Sequence, residues 1–236
     1  MTRHTHRGNI KAMIIRISSA LILLMSALSC STQTGNFTDE ELTLIHKSDS
    51  IMRVLTIDSY EDSLVLRTPC TDLSAEALLS PDYEELCSLM IATVTHPSQD
   101  GVGIAGPQVG LSRRVIAVQR FDKVTINQDG KTDHPFEVYP NIRIIHTSDS
   151  LASGPEGCLS VPGRRADVLR SAEIVIEYAD IQGLKSAASS TDRPCTCSFP
   201  SGNDIPTLKD TIRGFTAVIF QHETDHLDGV LYIDRL

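Results

Sequence analysis

The most constraining feature of the 236-residue chain is the pentapeptide HETDH at positions 222–226. Apolar residues recur around it at helical spacing, namely Phe215, Val218, Ile219 and Leu227. The pattern predicts a helix from about 211 to 228, with Gly229 placed just past its end. Histidines four apart lie one turn apart on the same helix face, so His222 and His226 can bind one metal ion. A glutamate beside the first histidine, here Glu223, is typical of metal hydrolases in which that carboxylate moves protons.

A catalytic metal site needs a third protein ligand and keeps one coordination position open. The long metalloprotease motif has a third histidine six residues beyond its second one, but that position is Tyr232 here. We therefore expect the third ligand upstream, and Cys158 in PEGCLSVPG is the best candidate. A thiolate is a strong ligand for zinc or ferrous iron. A lone cysteine is more often a small buried apolar residue, so the case for Cys158 depends on the motifs around it.

Composition and charge exclude several classes of protein. Hydrophobic residues make up 41% of the chain and charged residues 22%, as in ordinary soluble globular domains. The formal net charge is -9, and Lys and Arg do not cluster outside the extreme N-terminus, so we expect no nucleic-acid partner. The six cysteines contain no CxxC pair, which leaves any disulfide pairing open among Cys70, Cys87, Cys195 and Cys197.

The N-terminus has the pattern of an export signal. Residues 1–16 carry four basic residues and no acid, and the apolar stretch 17–29 is too short to span a membrane. We interpret residues 1–30 as a lipoprotein-like signal peptide with Cys30 as the lipidated residue, which predicts a lipid-anchored or exported protein in the cell envelope. The alternatives are an ordinary signal, an uncleaved anchor, or a mis-assigned start codon and a cytoplasmic protein.

The rest of the chain divides into a tether and a domain. Residues 31–63 are polar and acidic, which predicts a tether with one short helix around 41–55. The catalytic domain is expected over 64–236, with a surface insertion at about 184–210 that is rich in Ser, Thr, Pro and Asp. One further helix is predicted between Asp72 and His96, with a short turn at Ser80 and Pro81 as an alternative entry into it. Runs rich in β-branched residues predict strands at 115–121, 138–146 and 172–180.

Three segments, GVGIAGPQVG, EGCLSVPG and QHETDHLDG, occur in this order and resemble the signature motifs of the peptide deformylases. The similarity extends over about 65–236. It implies an α+β fold in which antiparallel or mixed sheets pack around a central helix that carries HExxH. It also implies that Cys158, His222 and His226 bind one divalent metal ion, with Glu223 as general acid and base. In this family the ion is typically Fe2+, and Zn2+ or Ni2+ can occupy the site.

The resemblance assigns further roles in the cleft. The side-chain amide of Gln108 and the backbone N–H of Leu159 would stabilise the developing oxyanion. The implied substrate-binding residues are Val102, Gly103, Glu156, Phe215 and Val218. From the helical pattern alone, Phe215 and Val218 fit plain core residues equally well. One departure from the family pattern lies in the first motif, where Gly106 replaces the common alanine.

The resemblance implies a hydrolase that removes the N-formyl group from N-formylmethionyl peptides and releases formate. We expect a monomer that contacts membrane only through its lipidated N-terminus. Export conflicts with a substrate at the ribosome, so formylated peptides outside the cytoplasm are the expected substrates if the leader is used. The alternatives are an exported metallopeptidase that cuts ordinary amide bonds and a noncatalytic peptide-binding lipoprotein of the same fold.

Overall fold

The helices begin where the sequence supplies capping side chains. The computed structural model describes residues 35–126, 129–189 and 205–236. Thr38, Ser59, Ser74 and Ser80 each accept a backbone N–H at the first turn of the helix that follows. The α-helices of the described residues are α1 Asp39–His46, α2 Tyr60–Leu66, α3 Ala75–Leu78, α4 Pro81–Val94, α5 Ile181–Ser189 and α6 Gly214–Leu227. Short 3-10 helices cover Gly106–Val109 and Tyr232–Arg235.

The strands form antiparallel sheets, which confirms the expected α+β class. They are β1 Gly103–Ala105, β2 Val115–Gln119, β3 Thr125–Ile126, β4 Thr132–Asp133, β5 Phe136–Pro140, β6 Arg143–Thr147, β7 Leu151–Cys158, β8 Val161–Ser171, β9 Glu173–Ala179 and β10 Thr207–Arg213. One sheet has the order β1-β2-β5 and another the order β10-β9-β6. The remaining strands form the hairpins β3-β4 and β7-β8.

Helix α6 packs against strands of both three-stranded sheets and against β8. Nearly all of its side chains from Thr216 to Leu227 are buried. Phe220 lies in one apolar cluster with Ile116 of β2 and Ile176 of β9. Close packing therefore holds the side chains of helix α6 in fixed positions.

Residues 35–63 correct the expected tether, because they belong to the same compact unit as the rest of the described chain. Ile45, Met52 and Leu55 are buried, and Ile45 packs into the core cluster that contains residues of α4 and β2. The short helix expected around 41–55 is present as α1, but it begins at Asp39 and already ends at His46. The polar and acidic composition of the segment hid this packing, although Ile45, Met52 and Leu55 are seven and three positions apart, as on one face of a helix.

Two other boundaries also differ from expectation. The region between Asp72 and His96 holds two helices instead of one, and the second begins at the alternative entry of Ser80 and Pro81. Ser80 caps it and Pro81 takes its first position. Both ends of the expected 184–210 insertion belong to regular elements. Its first residues lie in α5, where Leu184 is buried, and its last residues begin β10. β10 pairs with β9 through Arg213, so the expected helix over 211–228 begins only at Gly214.

The predictions for the signal peptide and Cys30 fall on residues 1–34, which lie outside the described residues, as do Cys195 and Cys197. Within the described part of the chain, Cys70, Cys87 and Cys158 are free thiols. No helix there has both the length and the apolar character to cross a membrane.

Candidate metal-hydrolase site

Two separate elements bring the three expected metal ligands together. Cys158 ends β7, whereas His222 and His226 lie one turn apart on α6. The ligand atoms of the three side chains all lie within 4.8 Å of one another. The Cys158 Sγ is 3.1 Å from His226 Nε2. The hairpin and the helix therefore converge on one small volume.

The donor set suits a divalent transition metal. One thiolate and two imidazoles are typical ligands of zinc and ferrous iron, and three protein ligands leave a position for a reactant. Burial lowers the pKa of His226 well below its usual range, which keeps this imidazole neutral and able to bind a metal. The buried His226 Nδ1 has no hydrogen-bond partner among the described residues. The residues thus fit a metal by both chemistry and spacing.

A buried ion-pair network fixes the orientation of His222. Its Nδ1 lies 2.8 Å from Glu156 Oε2, so Nε2 is the atom available to a metal. Arg170 donates to both oxygens of Glu156, at 2.7 and 2.9 Å, and its Nη1 donates to Asp225 at 2.6 Å. Burial raises the pKa of Glu156, but the hydrogen bonds from Arg170 and His222 outweigh it and lower the pKa to about 2. Glu156 is therefore an ionised carboxylate that positions His222.

Glu156 has a second role beside the one predicted for it. It lines the cleft, and both of its oxygens are engaged by Arg170 and His222. Glu156 therefore positions His222, and its contact with substrate stays a prediction. Arg170 was missed altogether, because its partners lie 14 and 55 positions away along the chain.

Glu223 lies in the same site with properties suited to proton transfer. Burial raises its pKa to about 7, and its Oε2 has no hydrogen-bond partner among the described residues. A pKa near neutrality is favourable for a group that must both accept and donate a proton. Gly103 is required beside it, because a Cβ at that position would lie 2.5 Å from Glu223 Oε1. The first motif thus supplies a glycine where the carboxylate approaches the backbone.

Gln108 and Leu159 border the same site. The Gln108 Oε1 accepts from Ala105 N at 2.8 Å, which directs its Nε2 toward Ser160 Oγ at 3.2 Å and Cys158 Sγ at 3.5 Å. Leu159 lies in the turn between β7 and β8, and its backbone N–H bonds to no other described backbone group. Both residues line the cleft beside the expected metal ligands, and each carries an N–H donor.

The cleft has a volume of about 750 Å³ and is lined on one side by β1 and on another by α6. The predicted residues Val102, Gly103, Phe215 and Val218 all line it. Phe215 is 57% exposed and therefore lies at the cleft and not in the core. Two exposed arginines of β8, Arg164 and Arg165, also line the cleft and were not predicted, since only the hairpin pairing places them there.

The fold and the site define a metal-dependent hydrolase: a thiolate and two imidazoles converge beside a carboxylate with a pKa near 7 in a peptide-sized cleft. The sequence profile described as "Polypeptide deformylase" matches residues 54–198 and 202–236. This match covers well over half of the chain. The chain belongs to the peptide deformylase family, and membership implies a divalent metal ion.

Individual relatives agree with this assignment. A "Peptide deformylase" from Roseiflexus sp. (strain RS-1) is 31% identical over 194 residues, covering 79% of this chain and 89% of that protein. "Peptide deformylase 2" from Nostoc sp. is 37% identical over 157 residues, covering 65% and 71%. The Met-Ala-Ser-bound crystal structure of a class I type b peptide deformylase from Acinetobacter baumannii matches with a TM-score of 0.59 and 30% identity, covering 79% of this chain and 98% of that chain.

Proposed function

We propose that the protein removes the formyl group from N-formylmethionyl peptides and releases formate. The main support is Glu223, which is buried beside the cluster of Cys158, His222 and His226. Its pKa is raised to about 7. This arrangement supports hydrolysis better than peptide binding alone, because binding needs no buried carboxylate with an unsatisfied oxygen. Family membership points the hydrolysis to formylated peptides.

Cys158, His222 and His226 would hold one divalent ion, for which we propose Fe2+, with Zn2+ or Ni2+ as alternatives. When bound, the ion would supply Lewis-acid polarisation of the formyl group and of water. Glu223 accepts a proton from the attacking water and delivers it to the amine that leaves. Gln108 Nε2 and the Leu159 N–H donate to the formyl oxygen as negative charge develops on it.

The peptide has a natural place to bind. β1 is an edge strand of its sheet, since β2 is its only partner strand among the described residues. An extended peptide can pair with the free edge at Val102 and Gly103. Phe215 and Val218 line the apolar side of the cleft, where the methionine side chain would bind. Pairing along β1 would bring the formyl end toward Glu223, which packs against Gly103.

A formate-release assay on N-formyl-Met-Ala-Ser, with unformylated Met-Ala-Ser in parallel, tests the proposal. We expect formate from the first peptide and no cleavage of the second. Glu223→Ala should retain the metal yet lose several orders of magnitude in formate release, because it removes the proton carrier and no ligand. Glu61→Ala, which removes an exposed carboxylate of α2, is the matched control. Cleavage of Met-Ala-Ser would favour a metallopeptidase, and peptide binding without formate would favour a noncatalytic protein.

We also propose that the protein acts in the cell envelope as a lipid-anchored monomer, and that formylated peptides outside the cytoplasm are its substrates. The support is the basic segment 1–16, the apolar stretch 17–29 and Cys30 directly after a small residue. The intact protein should incorporate a fatty-acid analogue and partition into detergent, whereas Cys30→Ala should do neither. An unlabelled full-length protein in the cytosol would reject this location. Light scattering of the protein in detergent tests the monomer.

A further inference from the structure

A second cavity, of about 620 Å³, lies beside a different face of α6 from the catalytic cleft. Helix residues spaced three and four apart line it, namely Gln221, Thr224, Asp225 and Asp228. His222 and Glu223 line the catalytic cleft instead. Because residues at this spacing share one helix face, the two cavities open on separate faces of α6. The proposed hydrolysis takes place in the cleft, and the second cavity shares with it only the ion-pair network of Arg170 and Asp225 that supports Glu156.

Four guanidinium groups line the second cavity, and each is ion-paired. Arg114 pairs with Asp228, Arg143 with Asp72, Arg170 with Glu156 and Asp225, and Arg235 with Asp225. The side chains of Arg143 and Arg235 are 51% and 45% exposed, so their charged ends are accessible. Arg235 binds Asp225 through Nε and Nη2, and the hydrogen bonds of Arg143 use its two Nη atoms. The Nη1 of Arg235 and the Nε of Arg143 therefore keep unused N–H donors.

Apolar side chains flank these donors. Leu151 and Leu169, from neighbouring strands of the β7-β8 hairpin, line the cavity and are 58% and 63% exposed. Thr224 also lines it, and its hydroxyl has no hydrogen-bond partner among the described residues. Two exposed leucines beside the guanidinium groups leave apolar area uncovered next to unused N–H donors. The volume lies within the range of small-molecule sites and exceeds what a simple ion would fill.

We propose that this cavity binds an amphiphilic oxyanion, meaning a molecule with a phosphate or carboxylate group and a short apolar portion. Guanidinium groups bind such oxyanions through charge-assisted hydrogen bonds. The oxyanion contacts Arg143 and Arg235, while the apolar portion covers Leu151 and Leu169. A free metabolite and a membrane lipid share this chemistry.

Hexyl phosphate is a suitable probe, titrated into the metal-loaded full-length protein by calorimetry. We expect one-to-one binding that weakens by about tenfold or more in Arg143→Ala/Arg235→Ala, because charge-assisted hydrogen bonds are lost. Leu169→Asp should also weaken it, by placing a negative charge at an exposed position on the apolar rim. Arg213→Ala, which removes an exposed ion-paired arginine outside the cavity, is the matched control. Arg164→Ala/Arg165→Ala controls for binding in the catalytic cleft.

Binding that fails to appear, or that is lost only in Arg164→Ala/Arg165→Ala, would overturn the proposal. Inorganic phosphate should bind much more weakly than hexyl phosphate, and equal affinity would refute the apolar part of the site. Vesicles of phosphatidylglycerol, compared with phosphatidylcholine, separate the two sources. Any vesicle binding through the leader is common to the wild type and Arg143→Ala/Arg235→Ala, so a difference between them assigns the site to a lipid. If the wild type and Arg143→Ala/Arg235→Ala bind vesicles equally but the variant still binds hexyl phosphate more weakly, the site is assigned to a soluble molecule.

Discussion

The two walls of the metal site are built in opposite ways. Helix α6, which supplies His222 and His226, is buried along nearly its whole length from Thr216 to Leu227. The β7-β8 hairpin, which supplies Cys158, exposes most of its side chains. Apolar packing therefore fixes the helix, whereas the hairpin has few buried apolar residues, chiefly Val161 and Val168.

The hairpin is held instead by polar contacts at its ends and middle. Arg170 of β8 joins Glu156 of β7 to Asp225 of α6. At the turn, the Ser160 carbonyl accepts from Ile57 N at 2.9 Å. The position of Cys158 on the exposed hairpin thus depends on a few specific hydrogen bonds and ion pairs. The positions of His222 and His226 on α6 are supported by many packing contacts.

Deleting the segment that supports the turn should have the largest effect. A protein lacking residues 1–34 should fold and bind metal, whereas one lacking 1–63 should not fold. The longer deletion removes the buried side chains of Ile45, Met52 and Leu55 and the hydrogen bond from Leu55 N to the Gln108 carbonyl. Circular dichroism during heating and metal analysis are the measurements. A stable, metal-loaded protein beginning at Leu64 would show that the hairpin needs no such support.

Removing one expected metal ligand from the hairpin or from α6 should have the same effect on metal binding but different effects on the stability of the metal-free protein. Cys158→Ala and His226→Ala should both deplete the metal, because three protein ligands become two. Without metal, His226→Ala should further destabilise the fold by about 2 kcal/mol or more, because it leaves a cavity in α6, whereas Cys158→Ala should change the stability little. Metal content and urea unfolding of the metal-free proteins measure this. Cys70→Ala is the control that should keep its metal, and equal destabilisation by both ligand variants would contradict the comparison.

The ion pairs that join the hairpin to α6 should contribute much more to the free energy of unfolding than exposed ion pairs do. Arg170→Ala should cost about 3–5 kcal/mol of unfolding free energy, because it leaves Glu156 and Asp225 buried without their shared cation. Arg213→Ala removes an exposed pair with Glu173 and should cost at most about 1 kcal/mol. Urea denaturation of the two variants gives both values. Similar losses would mean that the hairpin is not anchored through Arg170.

The smallest effect concerns the close approach at Glu223. Gly103→Ala should fold but lower kcat by about 10- to 100-fold, because the new Cβ displaces the carboxylate from its position. Gly154→Ala is a matched change on the hairpin, where a Cβ meets nothing within 4 Å. Steady-state formate release at saturating peptide distinguishes them. An unchanged kcat in Gly103→Ala would show that the carboxylate tolerates displacement.

The sequence predicted those parts of the molecule that depend on local pattern. The α6 helix followed from apolar periodicity, and the family followed from three motifs that the profile match confirms. The ligand set remains a prediction about metal binding, although the structure brings Cys158, His222 and His226 together. Arg170 could not be predicted, since an arginine in a strand is ordinarily a solvated residue and only tertiary pairing makes it buried.

The same limit explains the missed packing of residues 35–63. Glu41 is a polar helix residue in sequence, yet it binds the buried Arg113 at 2.7 and 2.8 Å. Arg113 lies 72 positions away along the chain. The acidic composition of the segment therefore led to the prediction of a tether and not of a docked helix. Composition describes the average surface of a segment, whereas docking depends on a few residues that it does not distinguish.

The network of Glu156, Arg170 and Asp225 also constrains how such a chain can evolve. Each of the three side chains is buried, and Arg170 is the cation that contacts both carboxylates. A single replacement passes through a form with an uncompensated charge, which selection would remove from a marginally stable protein. Divergence at these positions is therefore expected to be concerted, so that in descendants of this chain the three identities are kept together or exchanged together.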